Sequence, residues 1–304
     1  MKPLLLAVGF AALVLRAAPP AAGRWDLTVT TPNAQFPSWL ELTANNGEPQ
    51  ARVQGRSGSV HPVKNVKVDG DHISFTEPVG RQGEVIWDLT YANDQLTGTQ
   101  KRPDGSEPKV AGVRAPALDR TAPSHWSKAA PIFNTKDLTG WEPDNPAKNG
   151  WKVIDGDLVN ETAGANLRTT RKFEDFKLHI EFNCPELGNS GVYLRGRYEI
   201  QVEYEKPGTE DPFHSMGSIY GFLAPSSELP RKPGQWESFD VTLVGRRVTI
   251  SRNGVLVIDN QEIPGITGGA IDSHEAEPGP IYLQGDHTGG MKYRNITISL
   301  PAGR

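Results

Sequence analysis

The chain predicts an all-β protein in two parts, a small antiparallel barrel-like domain followed by a two-sheet antiparallel sandwich. Three observations carry this. Short runs alternate apolar and polar residues, the period of a half-buried strand. Asp-Gly and Asn-Gly turns separate many of the runs, a strong hairpin signal. The chain holds 32 Gly and 25 Pro among 304 residues, and no window between the runs keeps a helical apolar period.

At the N-terminus, Lys2 precedes an apolar run over residues 4–15. The run suits a secretory h-region and falls short of the ~17 residues that span a bilayer. Ala17, Ala18, Ala21 and Ala22 supply small residues for cleavage. Residues 1–22 therefore read as an export signal, which makes the mature protein periplasmic or extracellular with no membrane insertion after signal removal. No cysteine occupies a lipobox position. The single cysteine, Cys184, excludes an internal disulfide. It closes an alternating segment, and no histidine accompanies it in sequence, so it reads as a small buried hydrophobe. A net charge of −4 and a pI near 6.0 provide no basic excess for nucleic acid or anionic membrane.

The first domain is read over residues 24–118. Strand-like alternation occurs at 25–29 and at 39–43, which ends in Asn45-Asn46-Gly47. Residues 66–68 meet 72–75 through Asp69-Gly70-Asp71, and 84–91 meet 96–99 through Asn93-Asp94. About six to eight strands follow from this spacing. His61 and His72 read as surface residues, and no chemical constellation stands out in this part. Residues 119–130 are proline-rich and aperiodic, which marks a linker.

The second domain, 131–301, repeats the pattern. Runs are found at 151–154, 177–184, 191–194, 198–204, 239–244, 247–252, 255–258, 280–284 and 291–300. Asn253-Gly254 makes the surest hairpin. Asp155-Gly156-Asp157 has part of a calcium-loop spacing but lacks the other ligands and reads as a turn. Strands so spaced, with no crossover helices, argue for a sandwich. Neither half contains an internal repeat.

No zinc spacing, phosphate loop or Gly-x-Ser-x-Gly elbow is present, so the sequence implies no metal and no cofactor. The informative stretch is Tyr198-Glu199-Ile200-Gln201-Val202-Glu203. In a strand, Glu199, Gln201 and Glu203 share one face. An acid, an amide and a second acid suit a carbohydrate, since they accept from and donate to hydroxyls and one acid can move a proton. The competing reading is a solvent-facing polar stripe. Further polar residues stand at strand ends and loops: Arg195, His214, Tyr220, Gln284 and the pair Asp286-His287. With Trp236, Trp141 or Trp151 for stacking, they would line a sugar cleft.

The second domain resembles the 3-keto-disaccharide hydrolase domain family, similar in fold to the concanavalin-like lectins and glucanases. In order, the matching residues include Ile132-Phe133-Asn134, Asp137-Leu138-Thr139-Gly140-Trp141, Asn189-Ser190-Gly191, Tyr198-Glu199-Ile200-Gln201, Gly217-Ser218-Ile219-Tyr220, Gly234-Gln235-Trp236, Asn253-Gly254, Tyr282-Leu283-Gln284 and His287. One departure is Glu237, where the family more often has Asn. The resemblance implies a concanavalin-like jelly roll and cleavage of glycosidic bonds in sugars oxidised at C3. Glu199, His214 and His287 are then the expected proton carriers. Arg195, Gln201, Glu203, Tyr220, Trp236 and Gln284 are the expected substrate contacts. An ordinary retaining glucanase is disfavoured: Gln201 cannot titrate, and Glu199 and Glu203 lie four residues apart, roughly 13 Å along a strand against roughly 5–5.5 Å for a retaining pair. A non-catalytic carbohydrate-binding module and a structural exported β-protein remain open beside the enzyme. The partner expected in the first two cases is a carbohydrate; oligomeric state is not legible.

Overall fold

The structure, a computed structural model, describes residues 20–55, 58–209 and 211–302. Nearly all of the expected export signal, residues 1–19, lies outside the described residues. Among the described residues no helix is long and apolar enough to cross a membrane.

The N-terminal part consists of nine antiparallel strands among the described residues, where six to eight were expected. They are β1 (Gly23–Thr30), β2 (Gln35–Asn45), β3 (Glu48–Gln54), β4 (Val60–Pro62), β5 (Lys64–Asp69), β6 (His72–Pro78), β7 (Glu84–Ala92), β8 (Gln95–Lys101) and β9 (Lys109–Arg114). The spatial order is β4-β3-β2-β1-β9-β8-β7-β6-β5. Since β4 leads directly into β5, the two ends of the sheet come together and the sheet curls nearly shut. Alternate residues fill the interior, among them Trp25, Leu27, Val53, Phe75 and Trp87.

The C-terminal part is the expected two-sheet sandwich. Its strands are β10 (Ala130–Pro131), β11 (Trp141–Pro143), β12 (Trp151–Ile154), β13 (Asp157–Asn160), β14 (Leu167–Thr169), β15 (Phe176–Asn183), β16 (Asn189–Leu194), β17 (Tyr198–Glu203), β18 (Trp236–Val244), β19 (Arg247–Arg252), β20 (Val255–Glu262), β21 (Tyr282–Leu283) and β22 (Met291–Ser299). One sheet runs β12-β13-β22-β15-β18-β19-β20, with β10 added on β22; the other runs β11-β14-β21-β16-β17. Asp155-Gly156 turns β12 into β13 and Asn253-Gly254 turns β19 into β20. All four residues have positive φ (53°, 87°, 51° and 77°), as a two-residue hairpin turn requires.

Between the sheets lie Leu167, Val192, Ile200 and Leu283 from one side and Ile180, Phe182, Phe239 and Ile250 from the other. Trp141 and Trp151 belong to this core. Their indole N–H groups donate to the carbonyls of Ile132 and Ala165, each at 2.8 Å. Cys184 is also buried, and burial pushes its thiol up to about 12.

The two parts share a tight interface. On β1 and β2, Asp26 and Trp39 are register partners that point out of the barrel. Trp39 is fully buried in the sandwich core, edge-on to Phe222 at 5.2 Å. Nearby, the hydroxyls of Thr28 and Ser273 are 2.6 Å apart.

Candidate active site

The outer face of the five-stranded sheet carries a cavity of ≈ 280 Å³. Strand alternation builds its floor. Leu194, Val192 and Ser190 turn inward on β16, which leaves Tyr193, Gly191 and Asn189 facing out. On β17, Tyr198, Ile200 and Val202 turn inward and Glu199, Gln201 and Glu203 face out. The register sets Tyr193 beside Glu199 and Gly191 beside Gln201. β21 adds Tyr282, with Gln284 just beyond it. Asn166, Tyr220, Gly268, Gly269, Asp286 and His287 close the walls.

Two glycines make room for the reactive groups. A Cβ at Gly191 would fall 2.1 Å from Glu199 Oε1, and one at Gly269 would fall 2.5 Å from the Tyr193 hydroxyl. Gly269 also has φ 76°, a conformation that other residues rarely adopt. Position 191 is therefore set by the space that the Glu199 carboxyl occupies.

Glu199 is 3% exposed, and no cation is among the described groups that shift it. Burial pushes its carboxyl up to about 8; the Tyr193 hydroxyl opposes the rise, and the charges of Glu203 and Asp286 add to it. The Tyr193 hydroxyl donates to the Gly268 carbonyl at 3.0 Å and accepts from Gln284 Nε2 at 3.4 Å. Its one proton serves either Gly268 or Glu199, and a swing to Glu199 would stabilise the carboxylate.

Across the cavity, His287 Nδ1 lies 2.7 Å from Asp286 Oδ1. This hydrogen bond raises the imidazole and holds the Asp286 carboxyl below its ordinary range. Asn166 braces that loop, accepting from Gly285 N at 2.8 Å and donating to Asp144 at 3.0 Å and Asp286 at 3.4 Å. Gln201 Nε2 donates to Glu203 Oε2 at 2.5 Å. Two buried amide oxygens, Gln201 Oε1 and Gln284 Oε1, have no partner in the protein. Nearly all such atoms in folded proteins are hydrogen-bonded, so a pair aimed at one cavity points to a ligand that donates hydroxyls.

The structure brings Glu199, Gln201, Tyr220, Gln284 and His287 to one cavity. Glu203 does not line this cavity but a neighbouring one, and reaches the site through its hydrogen bond from Gln201. His214 lies one layer back: its ring is 4.7 Å from Tyr220 and its Nδ1 is 3.2 Å from Asp211.

Two expectations fail on geometry. Arg195 is fully buried away from the cavity, its Nη2 donating to the Tyr198 hydroxyl at 2.7 Å and to the Gly245 carbonyl at 3.1 Å. It occupies the β16–β17 turn, where φ of 53° followed by Gly196 at 66° reverses the chain and takes the side chain off the cleft face. Trp236 lies on the outer side of the other sheet, because its neighbour Glu237 points inward; the Arg294 guanidinium covers its ring at 3.9 Å.

Glu237 itself has a structural role. It pairs with Arg252 at 2.7 Å and accepts from Asn253 at 2.8 Å and from the Tyr204 hydroxyl. Tyr193, Tyr282, Asn166 and Asn189 were not foreseen as wall residues. Period-two alternation outward from Gly191 and Gln284 does predict Tyr193, Asn189 and Tyr282. Among the described residues no group of three or more His, Cys, Asp or Glu side chains is arranged to hold a metal ion.

Comparison with known proteins accords with this architecture. The chain is similar to a candidate glycosyl hydrolase from Parabacteroides distasonis, at 29% identity and a TM-score of 0.50, covering 59% of this chain and 92% of that one. A second candidate glycosyl hydrolase from the same organism is 27% identical with a TM-score of 0.45, covering 57% and 98%. A non-specific endo-β-1,3(4)-glucanase is 13% identical with a TM-score of 0.37, covering 60% and 94%. No curated protein matches the chain. A family model described as a 3-keto-alpha-glucoside-1,2-lyase-like domain matches residues 128–299, more than half of the sequence, and the chain belongs to that family.

Proposed function

We propose that this protein is an exported carbohydrate-active enzyme that cleaves the glycosidic bond of 3-keto-glycosides, including 3-keto-disaccharides, with Glu199 as the proton carrier. The observation that carries the reading is a buried carboxyl, raised to about 8, facing a polar cavity that contains two unpartnered amide oxygens. Family membership supports the substrate class, and the Lys2-led apolar segment supports export.

A ketone at C3 acidifies the C2 hydrogen. The Glu199 carboxylate takes that proton, the C1–O bond breaks, and a C1–C2 double bond forms. The departing oxygen takes a proton from the His287 imidazolium, which Asp286 favours. Water then adds at C1, giving a proton to the neutral His287 imidazole, and Glu199 returns its proton to C2. A carboxyl with pKa near the working pH suits both halves of this cycle. Enolate charge at the C3 oxygen would be met by hydroxyl or amide N–H donors from Tyr220, Gln201 and Gln284. Gln201 Oε1 and Gln284 Oε1 would accept ring hydroxyls. At ≈ 280 Å³ the cavity lies near the lower end of ligand clefts, roughly 300–1,000 Å³, and so fits about one sugar ring.

The test is to incubate the mature protein with a 3-keto-disaccharide and with the unmodified disaccharide and to follow monosaccharide release. Release from the oxidised sugar alone is expected. Release from the ordinary sugar alone would overturn the C2-proton mechanism. Binding of either sugar with turnover of neither would make the protein a carbohydrate-binding module.

A further inference from the structure

The barrel has a cavity of its own, ≈ 630 Å³ in volume, at the end where β3, β6 and β8 finish and β2 and β7 begin. The inward-facing positions there break the barrel's apolar pattern. On β6 the inward residues run Ile73, Phe75, Glu77, and on β8 they run Leu96, Gly98, Gln100. Phe75 stacks on Trp87 at 5.4 Å to form an apolar floor. Above it, Glu77 and Gln100, each 5% exposed, occupy positions where the pattern calls for apolar side chains. Burying a carboxylate and an amide is unfavourable unless partners compensate.

The partners supplied by the barrel leave part of this set open. Glu77 Oε2 accepts from the Trp87 indole at 2.8 Å, whereas Oε1 lies 3.6 Å from His61 Nε2, beyond hydrogen-bond distance. His61 Nδ1 is 3.0 Å from the Ser59 carbonyl, and its buried Nε2 has no hydrogen-bond partner. Gln100 Oε1 accepts twice from Arg102, at 3.2 and 3.0 Å, so its amide N–H groups remain as donors. The Arg102 guanidinium lies 5.3 Å from the Phe36 ring on the wall. Acceptor and donor groups thus stand close together over aromatic and aliphatic surface. Among the described residues Arg102 stands against Asp104, and burial raises the Glu77 carboxyl, so these groups favour no strongly charged ligand.

We propose that this barrel mouth is a second saccharide-binding site, separate from the cavity at Glu199. A neutral polyhydroxylated ring with one apolar face matches the chemistry. Its hydroxyls donate to Glu77 Oε1 and His61 Nε2 and accept from Gln100, while the ring face lies on the aliphatic wall of Pro78, Val79 and Val85. The site would hold a chain-like glycan on the protein while the sandwich acts on another unit, an effect of raised local concentration. The inference stands on the barrel residues alone and does not depend on the chemistry proposed for Glu199.

The Trp87 indole N–H, bonded to Glu77, is a built-in reporter. The full chain carrying Glu199→Gln, which blocks turnover, is titrated to millimolar concentration with maltotriose, cellotriose, laminaritriose and mannotriose while the indole NMR resonances are followed. The Trp87 signal is expected to shift saturably with at least one of them. Glu77→Gln should weaken that binding by roughly 10- to 100-fold, the effect of a hydrogen bond to a charged group. Gln100→Ala, which removes a neutral donor, should weaken it less, and it carries the test if Glu77→Gln does not fold. The proposal is overturned if no trisaccharide moves the Trp87 signal. It is also overturned if both variants bind as tightly as the parent. Either outcome leaves the turnover assay at Glu199 unaffected.

Discussion

Replacing Glu199 by glutamine should increase stability while abolishing activity, and the size of the gain should depend on pH. In the folded protein burial holds the Glu199 carboxyl at about 8, against an ordinary value of 4.5. A carboxyl whose folded value is raised contributes its full stability below the unfolded value. That contribution is lost as pH rises toward the folded value. At about 1.4 kcal/mol per pH unit, the wild type loses on the order of 3 kcal/mol between pH 4.5 and 7, and little more beyond pH 8. Glutamine keeps the shape and removes the titration. The measurement is Tm for both proteins from pH 4.5 to 9, because every other titrating group is common to the pair and cancels. Over the full range the loss reaches about 4 kcal/mol, so the difference should grow in favour of Glu199→Gln by roughly 8–16 °C, taking about 2–4 °C per kcal/mol for a chain of this size class. Turnover of a 3-keto-disaccharide should fall by about 10²–10⁴-fold, the usual contribution of a positioned acid–base group. A Tm difference that stays constant across the range would refute the buried, raised carboxyl on which the mechanism rests.

Three other outcomes follow from the same geometry. Gly191→Ala forces a methyl into the space of Glu199 Oε1; kcat/KM should drop by roughly 10²-fold, as for a displacement of about 1 Å, while circular dichroism stays unchanged. Asp286→Asn removes the partner that raises His287; the imidazole should titrate at lower pH by NMR, and the falling limb of the pH–rate profile should move to lower pH with it. Asp26, buried at the interface of the two parts, is pushed well above the ordinary carboxylate range by burial and by Glu275; its stabilising contribution is therefore present below about pH 4 and lost as pH rises from there toward the raised value. The Tm of Asp26→Asn should gain on that of the wild type through this range, and a parallel pair of curves would count against the buried neutral acid.

The sequence made the strand periods and several of the turns legible, and with them much of the site. Alternation from Tyr198 to Glu203 places Glu199 and Gln201 on the cleft face whatever the partner strand, because period two is a local property. The short strands β11, β13 and β14 escaped notice because three or four residues barely display a period. Arg195 and Trp236 were misplaced for different reasons. Arg195 lies just past the end of a strand, where the turn's positive φ, and not alternation, directs the side chain. Trp236 is polar-face by register with Glu237, but an aromatic residue near a sugar motif suggests stacking whichever sheet it belongs to. The interface between the parts was invisible for a third reason: Asp26 and Trp39 look like ordinary outward residues of a barrel until a second body covers them.

The displacement of Arg195 has a chemical consequence for Glu199. A guanidinium within about 4–6 Å would lower a carboxyl by 1–3 pH units. That would leave Glu199 between about half and almost wholly ionised at neutral pH and a weaker base toward a C–H bond. Instead the cations of this region serve the other side of the turn. Arg197 pairs with Asp272 at 2.6 Å, Arg246 pairs with Glu275, and Tyr198 joins Arg195 to Glu275 through hydrogen bonds of 2.7 and 2.6 Å. Glu199 keeps a neutral hydroxyl and two like charges as its neighbours. At pH 7 only about a tenth of a carboxyl titrating near 8 is ionised, a tenfold loss of active form. That loss is the smaller effect, since the same shift makes the carboxylate a base over a thousandfold stronger than one at 4.5, and part of that strength appears in the rate of proton removal. Segregating the arginines toward the barrel thus pairs Asp272 and Glu275 there and leaves Glu199 without a guanidinium at the place where the proposed mechanism moves a proton.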